Sequence, residues 1–134
     1  LVTESGTSSG INDFSFFTPL KGEVTSHYDM NEKHYGVDIV TAKNEPIKAT
    51  LGGVVVFSSW TSDTGYVIAL QHENNLLSLY KHNSVLLKKV GSPVKAGEVI
   101  AIVGNSGELT TGPHLHFELW YKGKPINPEE YLVF

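Results

Sequence analysis

Gly112-Pro113-His114-Leu115-His116-Phe117-Glu118, continuing through Leu119, Trp120 and Tyr121, is the stretch from which the fold of this chain reads outward. The branched and aromatic residues around the two histidines favour an extended strand. Side chains on a strand repeat every two residues, so His114 and His116 point to one face. Two neutral imidazoles on one face can share a metal or divide the work around it. Taken alone, such a pair is equally what two ordinary hydrogen-bonded histidines look like, and the remainder of the chain has to decide.

The length of 134 residues fits one domain of common size, able to bury a core without covalent staples. The formal net charge of −4 and the lack of any basic run argue against nucleic acid as a partner. There is no cysteine, which excludes a disulfide framework and a thiolate zinc site. That absence leaves the compartment open and suits an envelope protein. No apolar run approaches the roughly 20 residues of a membrane span. The chain begins at Leu1 and reads as an excised or processed soluble domain, with any signal or anchor upstream.

Residues 1–13, rich in Ser, Gly, Thr and Asn, read as a flexible tail or linker, and residues 14–134 as a single domain. Phe14, Phe16 and Phe17 supply an apolar anchor. Short strands are expected over Glu23–Tyr28, Ile39–Val40, Ile47–Thr50, Gly52–Trp60, Tyr66–Gln71, Leu76–His82, Glu98–Val103 and His114–Tyr121. Glu73-Asn74-Asn75 should form a tight hairpin turn, because Asn tolerates positive φ. Val85–Val90 is ambiguous between helix and strand, and Gly104–Pro113 reads as a loop. Asn127-Pro128-Glu129-Glu130 has the cap, the proline and the acids of a short helix start. The chain also echoes itself. Glu45-Pro46-Ile47-Lys48-Ala49 and Ser92-Pro93-Val94-Lys95-Ala96 each precede a glycine and a β-branched run. The expected fold is therefore all-β, an antiparallel β-sandwich built from two similar halves and closed by a short C-terminal helical turn.

His34 and Asp38 bring further chemistry. On a straight strand they would stand about 13 Å apart, too far to share an ion. If they share one, the chain bends between them, and Gly36 is the residue that permits it. His82 ends the Leu76–His82 strand. The inventory allows, without forcing, a set in which His34, Asp38 and His116 hold a metal and His82 and His114 do not. Three protein ligands leave zinc the open position of a catalytic site, where a fourth would close it. No helical His-Glu-x-x-His segment supplies a glutamate base, so the two other histidines would have to handle protons and developing negative charge.

His34-x-x-x-Asp38, Tyr80-x-His82 and Gly112-Pro113-His114-Leu115-His116-Phe117-Glu118 together resemble the signature of the lysostaphin-like, LytM-type zinc metallopeptidases. The resemblance runs from about Phe17 to Pro128 and includes Gly36-Val37-Asp38-Ile39, Val94-x-x-Gly97-x-x-Ile100 and Gly104-x-Ser106-Gly107. It implies a β-sandwich of the duplicated hybrid motif type and a zinc metalloendopeptidase that hydrolyses peptide cross-links of bacterial peptidoglycan. It also implies an extracytoplasmic setting in the periplasm or cell envelope. Carried over position by position, it makes His34, Asp38 and His116 the ligands of one Zn2+ with a catalytic water. It makes His82 and His114 the catalytic pair. The chain departs from the family at Lys81 and Asn83, where a small residue and leucine are usual, and at Asn75, where glycine is usual. Glu118 shares the face of both histidines and can orient an imidazole, or form a surface salt bridge.

Two other functions compete. An inactive LytM-like module would regulate other cell-wall hydrolases, but such relatives lose ligands, and here all five positions are filled. A sugar-transport phosphocarrier of related fold would use a phosphorylated histidine and need neither the aspartate nor stoichiometric zinc.

Overall fold

Among the described residues ten strands carry the fold, and every pairing between them is antiparallel. In chain order they are β1 (Glu23–Ser26), β2 (Val37–Val40), β3 (Pro46–Lys48), β4 (Gly53–Thr61) and β5 (Gly65–Gln71). They continue with β6 (Leu76–Leu86), β7 (Pro93–Val94), β8 (Val99–Val103), β9 (His114–Tyr121) and β10 (Lys124–Ile126). The computed structural model describes residues 10, 11, 14–104 and 112–134. The expected tail over residues 1–13 thus lies outside the described residues except for Gly10 and Ile11. So does most of the Gly104–Pro113 loop with its Gly104-x-Ser106-Gly107 motif.

The main path runs β1-β2-β9-β6-β5-β4-β7 and is open at both ends. β10 folds back on the end of β9, and β8 leaves the path at the far half of β6, carrying β3 with it. Side chains from both branches meet in one core, among them Ile39, Ile47, Ile68, Tyr80, Ile100, Leu115 and Phe117, all with no exposed surface. Burial of this apolar area is the main favourable term in the fold. The all-β antiparallel architecture is the expected one. A short 3-10 turn stands at Pro128–Glu130, with the Asn127 side chain accepting from the Glu129 N–H. Asn74 and Asn75 both take positive φ, 58° and 62°, in the turn between β5 and β6.

The two echoing halves interlock. The short strand of the first half, β3, pairs with the long strand of the second, β8, through Pro46↔Ile102 and Ile47↔Ala101. The short strand of the second half, β7, pairs with the long strand of the first, β4, through Gly53↔Val94 and Val54↔Pro93. Each half thus lends its short strand to the long strand of the other.

β6 does not stop at His82 as expected. It runs on to Leu86, so Val85 and Leu86 are strand while residues 87–90 are not. Leu76–Lys81 pair with β9, and Asn83–Leu86 pair with β8. The strand changes partner at His82, whose φ of +68° breaks the extended path. A non-glycine residue in this region is strained, and such residues concentrate at functional sites.

Candidate metal centre and active site

Strand register assembles the centre. Asp38 on β2 is paired with His116 on β9, and His116 with Lys81 on β6. Paired residues share a face, at about 4.8 Å from strand to strand. The period of two puts His114, His116 and Glu118 on the face opposite Leu115, Phe117 and Leu119, which are fully buried. His34 enters from the turn before β2, where Asp29 and His34 form a two-way backbone bridge. Its Nε2 comes to 3.2 Å from Asp38 Oδ2. One donor atom from each of His34, Asp38 and His116 lies within 4.8 Å of the other two.

The chain thus bends between His34 and Asp38 as sharing an ion requires, but Gly36 contributes differently from expectation. Its φ is not among the positive ones; what matters is space. A Cβ at Gly36 would collide with the Phe117 carbonyl oxygen and would meet Glu118 Cγ at 2.7 Å and His116 Nε2 at 3.0 Å. Glycine here lets the segment carrying His34 lie directly on β9.

Hydrogen bonds select the ring nitrogens. His34 Nδ1 donates to the His27 carbonyl at 2.8 Å, since a carbonyl only accepts, and this leaves the Nε2 lone pair beside Asp38. His116 Nε2 donates to Glu118 Oε2 at 2.7 Å, and its Nδ1 lies 2.7 Å from Asp38 Oδ1. Burial pushes the His116 imidazole down, but the carboxylates of Asp38 and Glu118 outweigh this and hold its pKa above the ordinary value. Burial likewise pushes Asp38 up, yet the His116 hydrogen bond and the surrounding histidines keep its carboxyl below the usual range. Glu118 is driven up by burial and, more strongly, down to about 2 by His116, Trp120 and Lys81. Two imidazole nitrogens and one carboxylate oxygen, with the outer nitrogens already engaged, form a donor set that suits zinc.

The other two histidines adjoin this group. The ring centroids of His82 and His114 are 4.9 Å apart, and those of His82 and His116 are 6.3 Å apart. Gly104 closes the junction: its carbonyl accepts from the His114 N–H at 3.1 Å. A Cβ there would meet the Ser84 amide nitrogen at 2.5 Å and the His82 carbonyl oxygen at 2.9 Å. His114 Nδ1 donates to the Gly112 carbonyl at 3.1 Å, which leaves its Nε2 lone pair able to take a proton. All five residues singled out in the sequence therefore gather in one place. What the sequence reading missed are the partners that orient them: Lys81 and Trp120 on Glu118, and the His27 carbonyl on His34. Period two already places Trp120 with Glu118; Lys81 depends on strand register, which no local pattern reveals.

His72 lies apart from the centre. Its Nδ1 donates to the Gly52 carbonyl at 2.8 Å, and its Nε2 accepts from Ser78 Oγ at 2.7 Å. Ser78 in turn accepts from the Tyr80 hydroxyl at 2.9 Å, and that hydroxyl accepts from the Thr50 N–H at 3.0 Å. The chain of donors runs in one direction and is complete only while His72 is neutral. His72 is structural.

Comparison with known proteins agrees with this geometry. Residues 32–128 match the sequence profile of peptidase family M23. The chain is 36% identical over 130 residues to the murein hydrolase activator NlpD of Salmonella typhimurium, covering 96% of this chain and 34% of that protein. It is 37% identical over 95 residues to the DD-carboxypeptidase/endopeptidase Mpg of Neisseria meningitidis, covering 71% of this chain and 22% of that protein. The crystal structure of a zinc-containing peptidase from Vibrio cholerae superposes with a TM-score of 0.75 at 29% identity, over 84% of this chain and 37% of that one. The chain spans about a third of the length of the first of these relatives. The match over residues 32–128, which takes in all five histidine and aspartate positions, shows that this chain belongs to peptidase family M23, the LytM-type peptidases.

Proposed function

We propose that residues 14–134 form one zinc-dependent metalloendopeptidase domain that hydrolyses peptide cross-links of bacterial peptidoglycan outside the cytoplasm. The observation that carries this reading is the intact donor group of His34, Asp38 and His116 with two further histidines beside it. His34, through Nε2, and His116, through Nδ1, would hold the ion with the Asp38 carboxylate. Zinc, when bound, supplies Lewis acidity that polarises a carbonyl and acidifies water. The remaining steps belong to the chain. His114, with Nδ1 committed to the Gly112 carbonyl, takes a proton at Nε2 and passes it to the leaving amine. His82, held by the bend in β6, stabilises negative charge developing on the scissile carbonyl oxygen.

The likeness to NlpD, a murein hydrolase activator, supports a second reading, a module that regulates other hydrolases. The two readings part on catalysis. Digestion of isolated cell wall by the zinc-loaded chain, followed as release of soluble peptides, is the test. Release supports the peptidase, and a zinc-loaded chain that releases nothing favours the regulator.

A further inference from the structure

The partners of His116 beyond Asp38 form a closed unit. Glu118 is 5% exposed and accepts three hydrogen bonds. His116 Nε2 and Lys81 Nζ share its Oε2, at 2.7 and 3.0 Å, and Trp120 Nε1 takes Oε1 at 2.8 Å. The ladder between β6 and β9 pairs Lys81 with His116, so ammonium and imidazole stand side by side on one face. Trp120 joins them by the period of two.

We propose that Lys81, Glu118 and Trp120 act together as a positioning unit for His116, holding Nδ1 toward the metal and keeping Glu118 itself out of the coordination sphere. The proposal rests on the metal reading given above. A carboxylate is itself a zinc ligand, and a fourth protein ligand would close the site to substrate. With three donors on it, and a cation on the oxygen nearest the imidazole, Glu118 is retained as an acceptor. Glutamine cannot replace it. Whichever way its amide is turned, its NH2 group faces Trp120 N–H on one side or Lys81 and His116 on the other. One donor would then oppose another.

The test is zinc affinity by competition with a chromophoric chelator, together with the visible absorption of the Co2+-substituted protein. Both are measured on the wild type, Glu118→Gln, Lys81→Met, Lys81→Arg and Trp120→Phe, with thermal unfolding of each metal-free form. Glu118→Gln should weaken zinc binding about 10- to 100-fold, the usual effect of losing an outer partner. Trp120→Phe should give a smaller loss in the same direction. Lys81→Met should weaken the cobalt bands as Glu118 enters the coordination sphere, and Lys81→Arg should restore them. Wild-type affinity and cobalt spectra in every variant, with changes only in melting temperature, would overturn the proposal. A wild-type chain that takes up no zinc overturns the metal reading itself, and this inference with it.

Discussion

The backbone at Gly36 lies so close to the His116 imidazole that a Cβ there would stand 3.0 Å from Nε2. The contact joins the segment that delivers His34 to the strand that delivers His116. The space for a metal group is thus set by a residue with no side chain. Gly36→Ala should cost about 1–3 kcal/mol by overpacking and reduce zinc uptake at the same time. Denaturant unfolding with elemental analysis reads both; a variant as stable and as zinc-rich as the wild type would show that the contact is slack.

Asp38 and His114 should separate in metal content. Asp38→Ala removes one of three donors, and zinc and turnover should disappear together. His114→Ala leaves the donor group intact, so most zinc should remain while kcat falls roughly 10²–10⁴-fold, the size of a lost acid–base group. Equal zinc loss in both would mean that His114 helps to hold the metal.

The bend at His82 makes a distinct prediction. With φ at +68°, any side chain there is strained, by about 1 kcal/mol or more relative to glycine. His82→Gly should therefore be more stable than His82→Ala by about that amount, while both lose turnover to the same degree. Equal stability of the two in urea unfolding would show that the bend carries no strain.

The relay from Thr50 through Tyr80 and Ser78 to His72 predicts an acid limit to stability. Burial pushes the His72 pKa below its ordinary value, against a smaller opposite effect of the Gly52 carbonyl. A histidine depressed in the folded state contributes stability that is present above about pH 6.5, its unfolded value, and is lost as pH falls through the folded value. Protonation would reverse the Ser78 hydroxyl and leave the Tyr80 hydroxyl proton without an acceptor. His72→Phe should flatten this part of the pH dependence. It should also cost about 1–3 kcal/mol at pH 7 by orphaning the Ser78 hydroxyl and the Gly52 carbonyl. Urea unfolding of both proteins between about pH 5 and 8 shows the difference; parallel curves would exclude His72 as a source of acid sensitivity.

Local patterns in the sequence carried much of this architecture. The run around His114 and His116 reads as a strand with both imidazoles on one face, and Asn74-Asn75 and Asn127-Pro128 read as the turn and the cap they are. The short strands of the two halves were visible too, but their exchange was not, because pairing between residues 39 to 56 positions apart leaves no local trace. The continuation of β6 past His82 was hidden for a related reason: nothing at His82 announces a positive φ, which the surrounding pairings impose. The types and spacing of the five residues of the centre allowed them as a set without forcing it, and the family resemblance divided their roles. Lys81 was visible only as an unusual residue, because its contact with Glu118 depends on the register of two strands that lie 37 positions apart at that point.

The most direct test of the central claim is the mass of the products when a defined, cross-linked wall peptide is incubated with the zinc-loaded chain. The experiment is repeated after chelation and after zinc is returned. A metalloendopeptidase predicts two fragments whose masses sum to the substrate plus one water, absent after chelation and restored by zinc. A chain that carries zinc yet leaves every cross-linked substrate intact, or that cleaves equally well after chelation, would contradict it.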